Sequence, residues 1–353
     1  MTTNFFLGAN SGSGFQNLFS EILDPETALD LMILKGGPGV GKNTFMREIG
    51  QTMEQAGADV EYLWCSGDPD SLDGVLIPAI RCAVCDGTAP HVMEPKYPAA
   101  VDRYVDLGRF YDLPAAKAQA AEVKQHTHDY QDAYARAYRC LQAARQIELD
   151  TAAEAGQSFD RQRAVRRLSG IMARELRGRG TGTGRITRRF LGSITHKGFI
   201  WRFDSVDALC LRVYELEDSY EQAGAFLTVL CAEAVRRSYN VTVCPSPEDP
   251  ERLEHLLIPE LGIAFVTSKQ GMKYPKKPYR RVRLDALSHP ENKARLRFRC
   301  RMTGVLRDEG IAALQDAKAA HDRLERVYNP YVDFDGVRAQ AALEAGRLLS
   351  WLK

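Results

Sequence analysis

The 353-residue chain predicts an α/β fold made of two similar halves, each a parallel sheet with flanking helices. Three observations predict it. The apolar run Leu31 to Leu34 leads directly into a glycine-rich loop and then a helix. Strand, helix, strand, acidic loop and strand follow in the rhythm of a parallel sheet with crossover connections. The stretch DPDSLDGVLIPAI at 68–80 recurs as DPERLEHLLIPEL at 249–261, with Pro69 and Pro250 lying 181 residues apart.

In chain order, residues 4–15, NFFLGANSGSGF, read as a hairpin turning at Ser-Gly-Ser-Gly. Leu31 to Leu34 form a short buried strand. Gly36, Gly37, Pro38, Gly39, Val40 and Gly41 then bend the chain into a helix that starts near Lys42 and stops at Gly57. Residues 59–65, DVEYLWC, make a second strand, SGDPDSLDGVLIP an acidic turn, and RCAVCD a third strand that ends on Asp86. Residues 111–180 read as helical, with Tyr130, Tyr134, Ala137, Tyr138 and Leu141 at helical spacing and a second helix over about 159–176. A glycine-threonine linker rich in arginine follows at 177–190, and a further helical piece runs from about Gly310. The resulting divisions are an α/β domain carrying the glycine-rich loop at 1–110, a helical hairpin with its linker at 111–180, a second α/β domain at 181–309 and a C-terminal helical segment at 310–353.

The loop has a specific chemistry. Its glycines let successive backbone N–H groups point inward at a phosphate, the following helix adds the positive end of its dipole, and Lys42 reaches the outer phosphates as a point charge. The expected fold is therefore a sheet of the P-loop NTPase type, and the expected ligand is ATP or another nucleoside triphosphate with Mg²⁺. Residues Gly36 to Gly41 with Lys42, Asn43 and Thr44 form the nucleotide contacts. In the pattern G-x-x-x-x-G-K-[ST] the last position normally gives magnesium a hydroxyl, and here it is Asn43. One residue along a helix rotates a side chain by about 100°, so Thr44 does not replace that hydroxyl. Asn43 attends the metal weakly and Asp86 attends it through water. Lys42 and Asp86 are the catalytic candidates. No glutamate follows Asp86, which leaves His91 or Glu94 as candidate bases. Asp68, Asp70 and Asp73 lie just past the second strand, where carboxylates orient an acceptor or a metal, although Asp-Pro and Ser-x-x-Asp are also turn and helix-start chemistry.

The repeat separates fold from chemistry. FLGANSGSGF at 6–15 also recurs, as FLGSITHKGF at 190–199. At the 181-residue spacing Gly41 falls opposite Gln222, Lys42 opposite Ala223, Asp86 opposite Thr267, and the glycine loop opposite EDSYEQAG. One nucleotide site per chain follows. The arginines between 161 and 189 read as a solvated helix face, with an arginine finger as the competing role.

Net charge +1, with 26% charged residues, provides no global field toward nucleic acid or membrane, so neither partner is expected. The N-terminus lacks a basic stretch followed by an apolar core, and no run of about 18 apolar residues occurs, so the chain is expected to be cytoplasmic. Its eight cysteines are scattered, and Cys82 and Cys85 fall on opposite faces of one strand, which favours reduced core cysteines over a metal or redox C-x-x-C.

With the loop, DPDSLDGVLIP, CDGTAPHVMEPKYP, HDRLE-x-x-Y and the internal copy in view, the chain resembles a bacterial family of uncharacterised tandem P-loop ATPases over nearly its whole length. The resemblance implies ATP binding without an assigned substrate. Family members carry GKS or GKT, and many have a second phosphate loop; Asn43 and EDSYEQAG depart from both. The expected function is nucleotide binding with slow or partner-dependent hydrolysis, the partner being an unidentified protein. The alternatives are a small-molecule kinase with its own acceptor, or a non-hydrolysing nucleotide sensor or scaffold.

Overall fold

The structure, a computed structural model, describes residues 1–177, 182–269 and 271–352. The first half runs β1 (Thr2–Phe6), β2 (Gly8–Ser11), β3 (Gly14–Asn17), β4 (Asp30–Lys35), α1 (Lys42–Gln55), β5 (Val60–Trp64), β6 (Leu72–Ile77), β7 (Cys82–Asp86) and β8 (Asp102–Asp106). Helices α2 (Leu113–Ala118), α3 (Ala120–Gln157) and α4 (Arg161–Glu175) lead to the second half. That half runs β9 (Ile186–Arg188), β10 (Gly192–Thr195), β11 (Gly198–Trp201), α5 (Phe203–Leu209), β12 (Arg212–Glu217), α6 (Ala223–Arg236), β13 (Val241–Ser246), β14 (Asp249–Ile258), β15 (Ile263–Ser268) and β16 (Arg280–Arg283). Helices α7 (Lys293–Tyr328) and α8 (Phe334–Leu349) close the chain.

Two six-stranded sheets result, ordered β1-β5-β6-β7-β4-β8 and β9-β13-β14-β15-β12-β16. Each position pairs in the same sense in both sheets, parallel except at the third strand, which is antiparallel to both neighbours. The expected parallel sheet is therefore mixed. The stretch read as an acidic turn is a turn only as far as Ser71; Leu72–Ile77 is fully buried and pairs as a strand. Its apolar residues Val75, Leu76 and Ile77 gain more from burial than the preceding aspartates lose by staying in the turn. The strand Asp102–Asp106 carries no alternating apolar pattern, because three of its five residues, Asp102, Arg103 and Asp106, are charged.

Period-2 alternation gives each sheet two apolar faces. Leu31, Ile33, Ala83 and Cys85 face a core shared with Val213, Cys244, Leu257, Ala264 and Val266 of the second sheet. Met32, Leu34, Cys82 and Val84 face outward onto Phe45, Met46, Ile49 and Met53 of α1. The sheets thus stack face to face with helices outside, and Cys82 and Cys85 sit on opposite faces as alternation requires. All eight cysteines are free thiols. Phe6 and Phe190 exchange reciprocal backbone hydrogen bonds of 2.9 Å between the halves.

The helices following each half cross to the other one. Ala164, Leu168 and Ile171 of α4 pack on α6 and the second sheet. Val337, Ala341, Ala345 and Leu348 of α8 pack on α1 and the first sheet. The long helices α3 and α7 run antiparallel between them, with Arg299 paired to Glu154 (2.8 Å) near one end and Tyr130 against His321 near the other. Helix α7 starts at Lys293, earlier than the expected helical piece, because the Asn292 side chain caps it by accepting from Arg295 N at 2.9 Å. Among the described residues no helix is long and apolar enough to cross a membrane.

Candidate functional site

The central strand β4 ends at Lys35, and the chain turns through Gly36–Gly41 into α1. Gly39 (φ 72°) and Gly41 (φ 96°) adopt left-handed backbone conformations that a side chain would strain. The turn exposes a row of donors: among the described residues the backbone N–H groups of Gly37, Gly39, Val40, Gly41, Lys42, Asn43 and Thr44 find no acceptor in the chain. Such a row at a helix N-terminus is a cradle for an anion.

Lys42 folds back over this cradle. Its Nζ donates to the Gly36 carbonyl (2.9 Å) and to Thr88 Oγ1 (2.7 Å), and lies 3.1 Å from Asp86 Oδ2. Asp86 ends β7, the parallel neighbour of β4, and its Oδ1 accepts from Thr88 N (2.8 Å) and Thr88 Oγ1 (2.6 Å). The fold therefore brings Lys42 and Asp86 together as expected from their strand ends, with Thr88 as an unforeseen bridge. Asn43 is directed elsewhere. Its Oδ1 accepts from Leu72 N (3.0 Å) and Arg47 Nε (3.1 Å), tying α1 to β6. Thr44 is exposed, and its hydroxyl makes no hydrogen bond to the chain.

Distant residues hold the outside of the loop. Tyr111 Oη donates to the Pro38 carbonyl (2.7 Å), and the Asn329 amide donates to the Gly39 carbonyl (3.2 Å). A β-carbon at Gly39 would fall 2.6 Å from Asn329, and one at Gly41 3.2 Å from Val337. The end of α7 and the start of α8 thus form the back wall of the turn, a contact no local pattern reveals.

A second cluster lies beside the first. Asp73, read as part of a turn, sits on β6 and is 3% exposed. Its Oδ2 is 3.3 Å from His91 Nε2, with Cys65 alongside. Phe15 and Phe19 pack on the imidazole at 4.9 and 4.6 Å. Burial pushes the Asp73 carboxyl up to about 6 despite the neighbouring His91, and Asp86 adds to the rise while Lys42 opposes it. The remaining acidic candidates lie apart: Asp68 accepts from Ser71 (2.9 Å), Asp70 pairs with Lys197, and Glu94 with Tyr104. Arginines of the 161–189 stretch make internal ties, those of α4 within the second half and Arg189 across to the first. Arg167 donates to the Arg283 carbonyl (2.9 Å), Arg174 pairs with Glu175, and buried Arg189 pairs with Glu61 (2.7 Å). Arg179 lies outside the described residues.

At the matching turn of the second half, Asp218 occupies the position opposite Gly37. Its two carboxylate oxygens accept from Gln222 N (2.8 Å) and Ala223 N (2.7 Å), the amides that correspond to Gly41 and Lys42. Around it lie buried ion pairs: Lys269 with Glu254 (3.0 Å), Arg307 with Glu248 (2.8 Å) and Glu148, and Arg145 with Glu221 (2.7 Å). Of these, Glu148, Glu221, Lys269 and Arg307 line a cavity of about 290 Å³.

Comparison of the chain with protein-family models, curated proteins and solved structures finds no match.

Proposed function

We propose that the first half binds one nucleoside triphosphate, ATP in the reading that the family resemblance implies, and hydrolyses it slowly or on engagement by a partner. We further propose that the two halves are copies of one P-loop-type unit, of which the second has lost its site. The observation that carries the reading is the row of unpartnered N–H groups from Gly37 to Thr44 with Lys42 arched above it. The twin supports it from the other side, since there the equivalent amides are already taken by an internal carboxylate.

Mg²⁺ bound with the nucleotide would neutralise developing phosphate charge. Asp86 would hold it through water, with Lys42, now 3.1 Å from Asp86, turned to the phosphates instead. Asn43 fits that role poorly, because its only acceptor oxygen already holds two N–H donors. That single observation favours slow turnover and keeps a nucleotide sensor as the second reading.

Titration calorimetry of ADP, ATP and GTP, each with and without Mg²⁺, tests the proposal. One nucleotide per chain is expected. No uptake, or two per chain, overturns it.

A further inference from the structure

We infer that Cys65, Asp73 and His91 form a binding site for one divalent transition-metal ion of the zinc type. The inference stands apart from the nucleotide reading. The three side chains come from separate places: Cys65 follows β5, Asp73 lies on β6 and His91 follows β7. Their ligand atoms nonetheless all lie within 4.8 Å of one another. Ligands on a tetrahedral zinc ion stand roughly 3.3–3.8 Å apart, given bonds of about 2.0–2.3 Å, so small side-chain shifts place one ion within reach of all three.

The donor set selects the metal. A sulfur, an imidazole nitrogen and a carboxylate oxygen suit zinc and its neighbours, whereas magnesium and calcium take oxygen alone. A second, independent observation points to a missing ligand. Asp73 and His91 are 3% and 5% exposed, yet Asp73 Oδ2 has only the 3.3 Å approach of His91 Nε2, too poorly aligned for a hydrogen bond, and His91 Nδ1 has no partner. A buried polar atom left unpaired costs about 1–3 kcal/mol, and a cation satisfies the carboxylate outright. Charge also balances. Binding forms a metal–sulfur bond, the Cys65 thiol proton leaves to solvent, and thiolate and carboxylate together neutralise a divalent ion. Three protein ligands leave a fourth position open for water or another small ligand.

The twin lacks the set. At the 181-residue spacing its counterparts are Ser246, Glu254 and Met272, and Glu254 is paired with Lys269. The other group of such residues among the described ones is His321, Asp322 and Glu325. These lie on the partly open surface of one helix, where Asp322 is paired with Lys318, and so make a suitable control.

The test uses the full chain, freed of metal by chelator and kept reduced, without nucleotide. Zn²⁺ is followed by calorimetry and Co²⁺ by absorption. One ion per chain is expected, with a thiolate-to-cobalt charge-transfer band and the strong visible bands of a tetrahedral site. Cys65→Ser should abolish the charge-transfer band and weaken Zn²⁺ binding by about 10–100-fold, and His91→Ala should weaken it similarly; Cys82→Ser and His321→Ala should change neither. Should the Cys65 variant fail to fold, X-ray absorption of the zinc-loaded wild type decides, with one sulfur ligand expected. Absence of a thiolate band or of a sulfur ligand in the wild type overturns the inference, as does undiminished zinc affinity in folded Cys65→Ser.

Discussion

At the turn between strand and helix, the two halves of the chain present similar rows of backbone N–H groups, and only the second meets them with a carboxylate of its own. Both turns aim backbone N–H groups at one point at the positive end of a helix dipole. The first half leaves those groups free and hangs Lys42 over them. The second half fills the point with its own Asp218 and has Ala223 where the lysine would be. The charged groups around each turn follow the same division. Around the first turn Lys42 pairs with Asp86, the two bridged by Thr88. Around the second, Arg145, Arg252, Lys269 and Arg307 are locked against Glu148, Glu221, Glu248, Asp249 and Glu254. The difference teaches that two turns of similar course can leave their N–H groups free, as the first does, or close them with an internal carboxylate inside an ionic core, as the second does.

The comparison breaks most readily at the two cations that define it. Lys42→Ala should lower ATP affinity at least 10³-fold, about 4 kcal/mol, if two charge-assisted contacts contribute roughly 2 kcal/mol each. Calorimetry reads it directly, and unchanged affinity would remove the first turn from the argument. Arg307→Met leaves Glu248 and Glu148 buried without their shared partner. Breaking a buried pair from one side costs roughly 3–5 kcal/mol, so urea unfolding should show a loss of that order with nucleotide stoichiometry intact.

The fold was legible to the extent that it is written locally. The run Leu31–Leu34 and the glycines gave strand, turn and helix, and the repeat gave two like sheets. Strand β6 was missed because Asp68, Asp70 and Asp73 look alike in sequence, although Asp73 alone faces inward from a strand while Asp68 and Asp70 stay in the turn. The exchange of α4 and α8 between halves leaves no trace in composition, since an amphipathic stripe does not name the sheet it covers. Tyr111 and Asn329 behind the loop, and Asp218 inside the twin, depend on chain crossings of that kind. The last had a signal: an aspartate opposite Gly37 at the repeat spacing.

Acidification sharpens the comparison, because His255 belongs to the second half and Gly74 stands at its counterpart. Burial holds the His255 imidazole down at about 4 from an ordinary 6.5, with Glu254 opposing and Lys269 assisting. Between those values the unfolded chain binds a proton that the folded chain refuses. Its contribution is thus complete above pH 6.5 and lost as pH falls toward 4, about 3 kcal/mol in all. His255→Asn retains an acceptor for Thr267 N, which His255 Nδ1 now receives at 3.1 Å. The variant should flatten the stability profile across that window by about the same amount, as followed by chemical unfolding at several pH values; an unaltered slope refutes the assignment. A smaller effect is expected at the turn itself. Asp218→Ala uncaps α6 and should cost about 1–2 kcal/mol, yet still bind one nucleotide per chain because Ala223 supplies no charge. Gain of a second nucleotide would mean that the twin is blocked and otherwise competent.

Asn43 gives the finest test, since it decides whether the first turn is built for turnover or for holding. Its Oδ1 ties α1 to β6 through Leu72 N and steadies Arg47, which also lies over Trp64 with 5.4 Å between guanidinium and ring. Serine has a shorter arm that does not reach the same amide, so Asn43→Ser should cost about 1 kcal/mol of stability from an unpaired N–H group. In exchange, the hydroxyl offers magnesium a direct ligand at the position where the loop pattern places one. Magnesium-dependent ATP turnover should rise on the order of tenfold, equivalent to about 1.4 kcal/mol of barrier, while Asn43→Ala, which loses the tie and gains no ligand, should show the stability loss alone. If serine and alanine behave identically in turnover, the amide at this position does not limit hydrolysis, and the contrast between the halves reduces to whether an anion can enter the turn.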